Sequence, residues 1–313
     1  MYNKSPVFIV GSERSGSTMF RLMLSHHSKV CVCPEFEFSV DPEYYDGLSD
    51  SKESLRRLSS NWIFKSLEVD LDYEKTYRDN MKNILNEFRN KYNKEVVTAI
   101  VHKNFDKLLE IWPGAKFIHL LRDPRDVAKS VVQMGWSSHV LTGVDRWLHA
   151  EECWGVVDKS IPNQNKIEVR FEELVKNPSK ELHKVCDFLE VDMDNAMLNY
   201  YKSSSYNKPD KKICQSWLQK LTEREVSLLE YKLQPWLKKY KYEQSGLDVK
   251  KVSWLVDFIL PLKDWIHRFK HRVNLYGLKN VGLDWLHRNF TLPKKMHARL
   301  DNQMHSQWVE SLR

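Results

Sequence analysis

Glycine and proline are scarce in these 313 residues, numbering 10 and 11, and no tract is built from them or from any other single residue type. That excludes collagen-like, low-complexity and long disordered architectures. No segment recurs at a fixed period, so a solenoid is excluded as well. No apolar run approaches the roughly 20 residues that a spanning helix needs. Only Met1 to Pro6 precede the first apolar run, which leaves no room for a signal peptide or anchor, and a cytoplasmic protein without a transmembrane segment is expected. The five cysteines, Cys31, Cys33, Cys153, Cys186 and Cys214, are odd in number and scattered. They form neither a disulfide framework nor the paired CxxC spacing of a zinc site, which suits a reducing compartment. His, Cys and carboxylate residues nowhere cluster at ligand spacing, so no metal is expected.

The chain has 42% hydrophobic residues, enough to bury one large core as a single α/β domain with an accessory segment. A net charge of +7 suits an anionic ligand and is too mild to require nucleic acid, which is not expected as a partner.

Short β-rich runs at Pro6–Val10, Val96–Val101, Lys116–Leu121 and Lys166–Phe171 are separated by helical patterns. That alternation predicts a three-layer α/β/α fold around a central parallel sheet. Residues 49–95 read as an inserted helical region. Past Tyr242 the texture changes to tryptophans, Trp254, Trp265, Trp285 and Trp308, among many cations, with breaks at Pro261 and Pro293. A soft boundary is placed near Gly246, giving a domain over 1–245 and a basic, aromatic-rich helical extension over 246–313.

Between the first strand and the helix beginning near Met19 lies Gly11-Ser12-Glu13-Arg14-Ser15-Gly16-Ser17-Thr18. A glycine-bearing strand-to-helix turn offers several backbone N–H groups at the positive end of a helix, a ready phosphate site. The ATPase form of such a loop has a lysine directly after its second glycine, where this chain has Ser17, and the cation has moved to Arg14. That displacement suits a shorter diphosphate-like donor. After the third strand comes Arg122-Asp123-Pro124-Arg125-Asp126-Val127-Ala128-Lys129-Ser130, where Asp123 and Pro124 are suited to open a helix and Arg122 and Ser130 to face one anion.

These two segments, in this order and spacing, resemble those of the PAPS-dependent sulfotransferases (PAPS is 3'-phosphoadenosine-5'-phosphosulfate). Val169-Arg170-Phe171-Glu172-Glu173-Leu174 with Asn177-Pro178, and the segment Trp217 to Tyr242, extend the resemblance over roughly residues 6 to 243. It implies a P-loop NTPase-like fold that transfers a sulfuryl group from PAPS to a hydroxyl or amine of a small-molecule or carbohydrate acceptor, by in-line attack and with release of PAP. It implies that Arg14, Ser15, Gly16, Ser17 and Thr18 hold the 5'-phosphosulfate and that Arg122 and Ser130 hold the 3'-phosphate that ATP lacks. Phe171 stands where the family usually carries Tyr beside the adenine, leaving only packing there. Lys211 and Lys212, with Lys208, occupy the place of a loop closing over the nucleotide, or are a solvated charge run.

Sulfuryl transfer needs an in-line nucleophile, a base and one or two cations at the leaving oxygen. Arg14 is the expected leaving-group cation, and Lys103 matches a family position near the transferred group. The His base of the cytosolic branch is replaced by Phe105. The carbohydrate, tyrosyl-protein and bacterial branches use a Glu after the first helix instead, and Glu35 aligns best with it, Glu37 being the alternative. His26, His27 and His119 are expected to be structural. Two other readings stay open: a P-loop small-molecule kinase using ATP and Mg²⁺, which Ser17 disfavours, and a nonenzymatic nucleotide-binding protein of the same fold. The tail admits packing on the core or on a second subunit as a homodimer, an acceptor-site lid, or peripheral contact with a membrane.

Overall fold

A computed structural model describes residues 5–45, 52–204, 207–208, 210–252, 254–289, 300, 303–304 and 306–307. Trp308 and Pro293, singled out above, lie outside the described residues. Five strands form one parallel sheet: β1 (Val7–Val10), β2 (Val30–Cys33), β3 (Val96–Val101), β4 (Lys116–Leu121) and β5 (Lys166–Arg170), in the order β2-β3-β1-β4-β5. Val10 pairs with Val101 on one side and His119 on the other. The sequence pattern showed four of these strands; the fifth, β2, is a four-residue Val-Cys-Val-Cys run at the sheet edge.

Parallel neighbours require crossovers, and the crossover helices put apolar side chains on both sheet faces. The alternation of β1 divides accordingly. Val7 and Ile9 enter a core with Met19, Phe20, Leu174 and Leu182 from the helices Ser17–Ser25, Phe171–Lys176 and Pro178–Leu189. Phe8 and Val10 enter another with Tyr77, Met81 and Leu85 of the helix Tyr77–Lys91 and Cys153 and Trp154 of the helix Asp145–Ser160. This is the three-layer fold expected. Within the inserted region, helices Lys52–Leu58 and Trp62–Ser66 precede Tyr77–Lys91, and an open cleft is lined by Phe64, Val69, Leu71 and Tyr73.

The chain divides into two compact units, Met1–Val127 with Val144–Lys220, and Ala128–Gly143 with Leu221–Arg313. The boundary expected near Gly246 falls inside the second unit. In that unit the helix Glu223–Tyr240 opens on a capping box made by Thr222 and Glu225, and its Lys232 Nζ donates to the Leu141 carbonyl at 2.7 Å. The helices Trp254–Tyr276 and Leu278–Asn289 are joined by an Arg272–Asp284 ion pair of 2.7 Å. Among the described residues no helix is long and apolar enough to cross a membrane.

Candidate active site

In a doubly wound sheet a ligand crevice opens beyond the carboxyl ends of two adjacent strands whose crossovers run in opposite directions. Here those strands are β1, whose chain leaves towards β2, and β4, whose chain leaves towards β5. The loop 11–16 follows β1, Glu35 and Glu37 follow β2, His102 and Lys103 follow β3, Arg122 follows β4 and Phe171 follows β5. Residues far apart in sequence therefore meet at one edge.

The glycines of the loop are required by its path. Gly11 has φ +139°, and a Cβ there would collide with the Leu120 carbonyl oxygen of β4. Gly16 has φ +94°, caps the helix Ser17–Ser25, and lies so close to the Phe171 ring that any Cβ would enter it. The side of Phe171 is also covered by Arg122, whose guanidinium carbon sits 4.3 Å from the ring centroid. Arg122 donates to the Arg14 carbonyl at 2.9 Å and to the Ile213 carbonyl at 3.0 Å. Thus Arg14, Gly16, Arg122, Phe171 and the short turn Lys211–Ile213 are brought together. Lys211 and Lys212 are exposed on that turn, which Asp210 caps by accepting from the Lys212 N–H at 2.9 Å.

Two buried polar atoms here have no partner among the described residues, Ser15 Oγ and Arg122 Nε. A buried donor is rarely left unpaired, since each costs about 1–3 kcal/mol. Both belong to segments that the sequence marks as anion sites, and with the loop amides they fit a phosphorylated ligand. Ser130 is half-buried on the helix Pro124–Gln133, in the part belonging to the second unit.

Glu13 is a hub that sequence reasoning passed over. Its carboxylate takes Lys103 Nζ at 2.9 Å and Arg146 at 2.9 and 3.0 Å. Burial alone would raise its pKa, but the attraction of Lys103 and Arg146 outweighs that and holds the carboxyl below its usual value. His102 was likewise passed over. Its Nδ1 lies 2.8 Å from the Gly11 carbonyl and its Nε2 3.2 Å from Ser17 Oγ, so the ring braces both ends of the loop. The Gly11 carbonyl can only accept, so Nδ1 carries the proton of this bond. The His102 N–H in turn donates to Glu37 Oε1 at 3.2 Å.

Glu37 begins a short 3-10 turn, and burial pushes its carboxyl pKa up while nearby His102 partly offsets the rise. Glu35 is exposed and adopts φ +50° immediately before the Phe36 N–H continues the sheet by donating to the Ile100 carbonyl at 2.8 Å. The two candidate bases thus differ: Glu37 is tied to the loop through His102, and Glu35 is open to solvent. Elsewhere, His119 is fully buried, stacked on Trp154 and bonded to Glu151 at 3.0 Å; His26 and His27 bond the Leu22 and Asp192 carbonyls. Among the described residues no group of three or more His, Cys or carboxylate side chains is placed to hold a metal.

A family model described as "Sulfotransferase family" matches residues 6–195. A protein-tyrosine sulfotransferase of Drosophila melanogaster is 27% identical over 223 residues, 65% of this chain and 41% of that protein. The alignment covers 54% of a protein-tyrosine sulfotransferase A of Caenorhabditis elegans and 27% of an uncharacterized protein of Aquifex aeolicus, so the chain spans only part of the length of the relatives it matches. Two solved structures share the fold. The sulfotransferase domain from the curacin biosynthetic pathway has a TM-score of 0.59 at 18% identity, covering 77% of this chain and 98% of the domain. The sulfotransferase domain of the Synechococcus PCC 7002 olefin synthase has a TM-score of 0.56 at 23% identity, covering 77% and 97%.

Proposed function

The chain belongs to the sulfotransferase family, and from that premise we propose that it transfers a sulfuryl group from PAPS to a hydroxyl or amine of an acceptor and releases PAP. The observation that carries this reading is the pair of unpartnered buried atoms, Ser15 Oγ and Arg122 Nε, in two segments that Arg122 itself ties together through the Arg14 carbonyl. PAPS, when bound, supplies the sulfuryl group and a phosphate leaving group. The amides of Ser15, Gly16, Ser17 and Thr18 would hold the 5'-phosphate, Arg122 and Ser130 the 3'-phosphate, and Phe171 the adenine by packing, with Lys211 and Lys212 adding positive charge at the rim.

Arg14 and Lys103 would offset the charge that grows on the leaving oxygen. Glu13 holds Lys103 in place before any ligand arrives, so ordering that side chain does not oppose catalysis. We assign proton removal from the acceptor to Glu35, the carboxylate open to an incoming molecule, and to Glu37 the positioning of His102 and, through it, the loop. Acceptor selection is assigned to the inserted region 49–95, and a small-molecule or carbohydrate hydroxyl or amine is the expected class. The likeness to a protein-tyrosine sulfotransferase adds phenolic hydroxyls to the acceptors to be screened.

The test is calorimetric titration with PAP, and with ATP plus Mg²⁺ as control, of the parent protein, Arg122→Ala and Ser15→Ala. Micromolar PAP binding that weakens in both variants, with weak ATP binding, supports the reading. Ser15→Ala separates ligand contact from folding, because the Ser15 hydroxyl has no partner among the described residues to lose. Failure to bind PAP, or preference for ATP with Mg²⁺, would sink it and favour the kinase.

A further inference from the structure

The helix Trp254–Tyr276 is docked the wrong way round for a soluble protein. At about 100° per residue, Trp254, Phe258, Leu262, Trp265 and Phe269 fall within one arc of about 80°. Their exposures are 73, 77, 61, 60 and 42%, so this apolar stripe faces outward. The side turned to the rest of its unit is polar. Asp264 is 6% exposed and accepts from Ser137 Oγ at 2.7 Å, the Ser138 N–H at 2.6 Å and Thr142 Oγ1 at 3.1 Å. One turn and two turns further on, His267 and His271 are half-buried, and His271 lies against Gly135. A helix anchored by a buried carboxylate, with a row of aromatic side chains in water, has an apolar face of the kind that marks an interaction surface.

We propose that this stripe is a membrane-contact face that lies in the plane of an anionic lipid surface. The charges decide between lipid and a second copy. Exposed Ile266 and Ile259 widen the apolar face to about 140° from Trp254, Lys270 and Lys263 are exposed just beyond them at about 160° and 180°, and Arg268, half-exposed, lies about 40° beyond Trp254 on the other side. The acidic residues with described side chains on this helix pair are neutralised, Asp264 by Arg268 at 3.1 Å and Asp284 by Arg272 at 2.7 Å. A two-fold dimer through this face would bring the cationic borders of one copy against the cationic borders of the other, because such an interface pairs the same patch with itself. An anionic bilayer takes the aromatic rings into its interface and the flanking cations against its head groups, and each cation near that surface adds about fivefold to binding.

The experiment is vesicle flotation of the full chain with phosphatidylcholine alone and with an equimolar phosphatidylcholine–phosphatidylglycerol mixture. The parent is expected to partition at least about tenfold more strongly to the anionic vesicles. The double variant Phe258→Ser/Trp265→Ser is expected to lose at least about tenfold of that binding, since both rings leave the interface. Its melting temperature and its affinity for PAP are expected to be unchanged, which separates this proposal from the assignment of the active site. No binding to either vesicle, or binding that the double variant retains, overturns the proposal. A concentration-dependent dimer that the same variant dissociates would also overturn it, by giving the face to a second copy.

Discussion

Replacing Gly16 with alanine tests how the glycine-bearing loop after β1 is held. Two separate costs are expected. Gly16 has φ +94°, and forcing an L residue into positive φ costs about 1–2 kcal/mol. The new Cβ would also enter the Phe171 ring, which is 2% exposed and covered by the Arg122 guanidinium at 4.3 Å. The ring must withdraw by about 1 Å or more to restore contact distance, and overpacking of that kind costs about 1–3 kcal/mol. Gly16→Ala should therefore lose about 2–5 kcal/mol in urea denaturation. In a Phe171→Ala background only the backbone strain is left, so the same change should lose about 1–2 kcal/mol. The cycle of four proteins reads the coupling directly. Additivity of the two changes within about 0.5 kcal/mol would refute the claim that the ring is what the glycine makes room for. If the proposed nucleotide site is right, Gly16→Ala also weakens PAP at least about tenfold, because the displaced ring carries Arg122 with it.

Glu13→Gln should lower stability by about 1–2 kcal/mol near neutral pH, by releasing Arg146 and the half-exposed Lys103. The Glu13 pKa is depressed in the folded state, so its contribution is present above the unfolded value and lost as pH falls through the folded one; the variant and parent melts should converge in acid. Once an acceptor is in hand, the same variant should cut turnover at least about tenfold with little change in PAP affinity, a split read from steady-state kinetics. Glu37 has the opposite sign. Burial raises its pKa, so the folded protein binds this proton more tightly and is relatively destabilised as pH rises through that value. Glu37→Gln should therefore be more stable than the parent at pH 8, by up to about 1 kcal/mol, with the gain shrinking as the solution is acidified; a variant less stable at every pH would contradict it. Burial pushes the half-exposed Cys214 thiol up to about 11. Its alkylation, followed by mass spectrometry, should be slow at pH 8, where only about one thiol in a thousand is ionised, and should accelerate about tenfold per pH unit.

The fold was legible because its signals are local. Phe8 and Val10 alternate with Val7 and Ile9 on two buried faces, and such runs separated by helical patterns admit few topologies. The edge strand Val30–Cys33 was the hardest to see, being four residues long and paired on one side only. In the site, the loop and Arg122 carry recognisable local patterns, and the structure brings them within 2.9 Å of each other. Glu13 and Arg146 carry none. They are 133 positions apart, and an acidic residue has the wrong sign for a contact with the anion that the loop's pattern suggests. His102 stands next to Lys103, yet its role depends on where β3 ends relative to β1, the register that pairs Val10 with Val101. Pairing across strands sets such residues together, and no spacing within a single segment records it.

The segment Arg122 to Asp126 shows why a charged motif at a candidate site need not be charged for a ligand. Only Arg122 keeps an unpartnered nitrogen. Asp123 is buried and holds Arg125 through both carboxylate oxygens, at 3.0 and 2.8 Å, while also accepting the Trp217 indole N–H at 3.1 Å. Arg125 lies 3.8 Å from the Trp217 ring centroid, and Asp126 accepts from Ser216 Oγ at 2.7 Å and from the Trp217 N–H at 2.9 Å. A buried ion pair of this kind adds little net stability compared with apolar packing, because desolvation offsets its attraction. What it supplies is position. By fixing Ser216 and Trp217 against the start of the helix Pro124–Gln133, it fixes the turn just before them, and with it the Ile213 carbonyl that receives Arg122 at 3.0 Å. The direction of Arg122 is therefore set by the protein's own contacts. The two aspartates closest to it in sequence are occupied with Arg125, Trp217 and Ser216, so their negative charge is already committed to holding this part of the fold in shape.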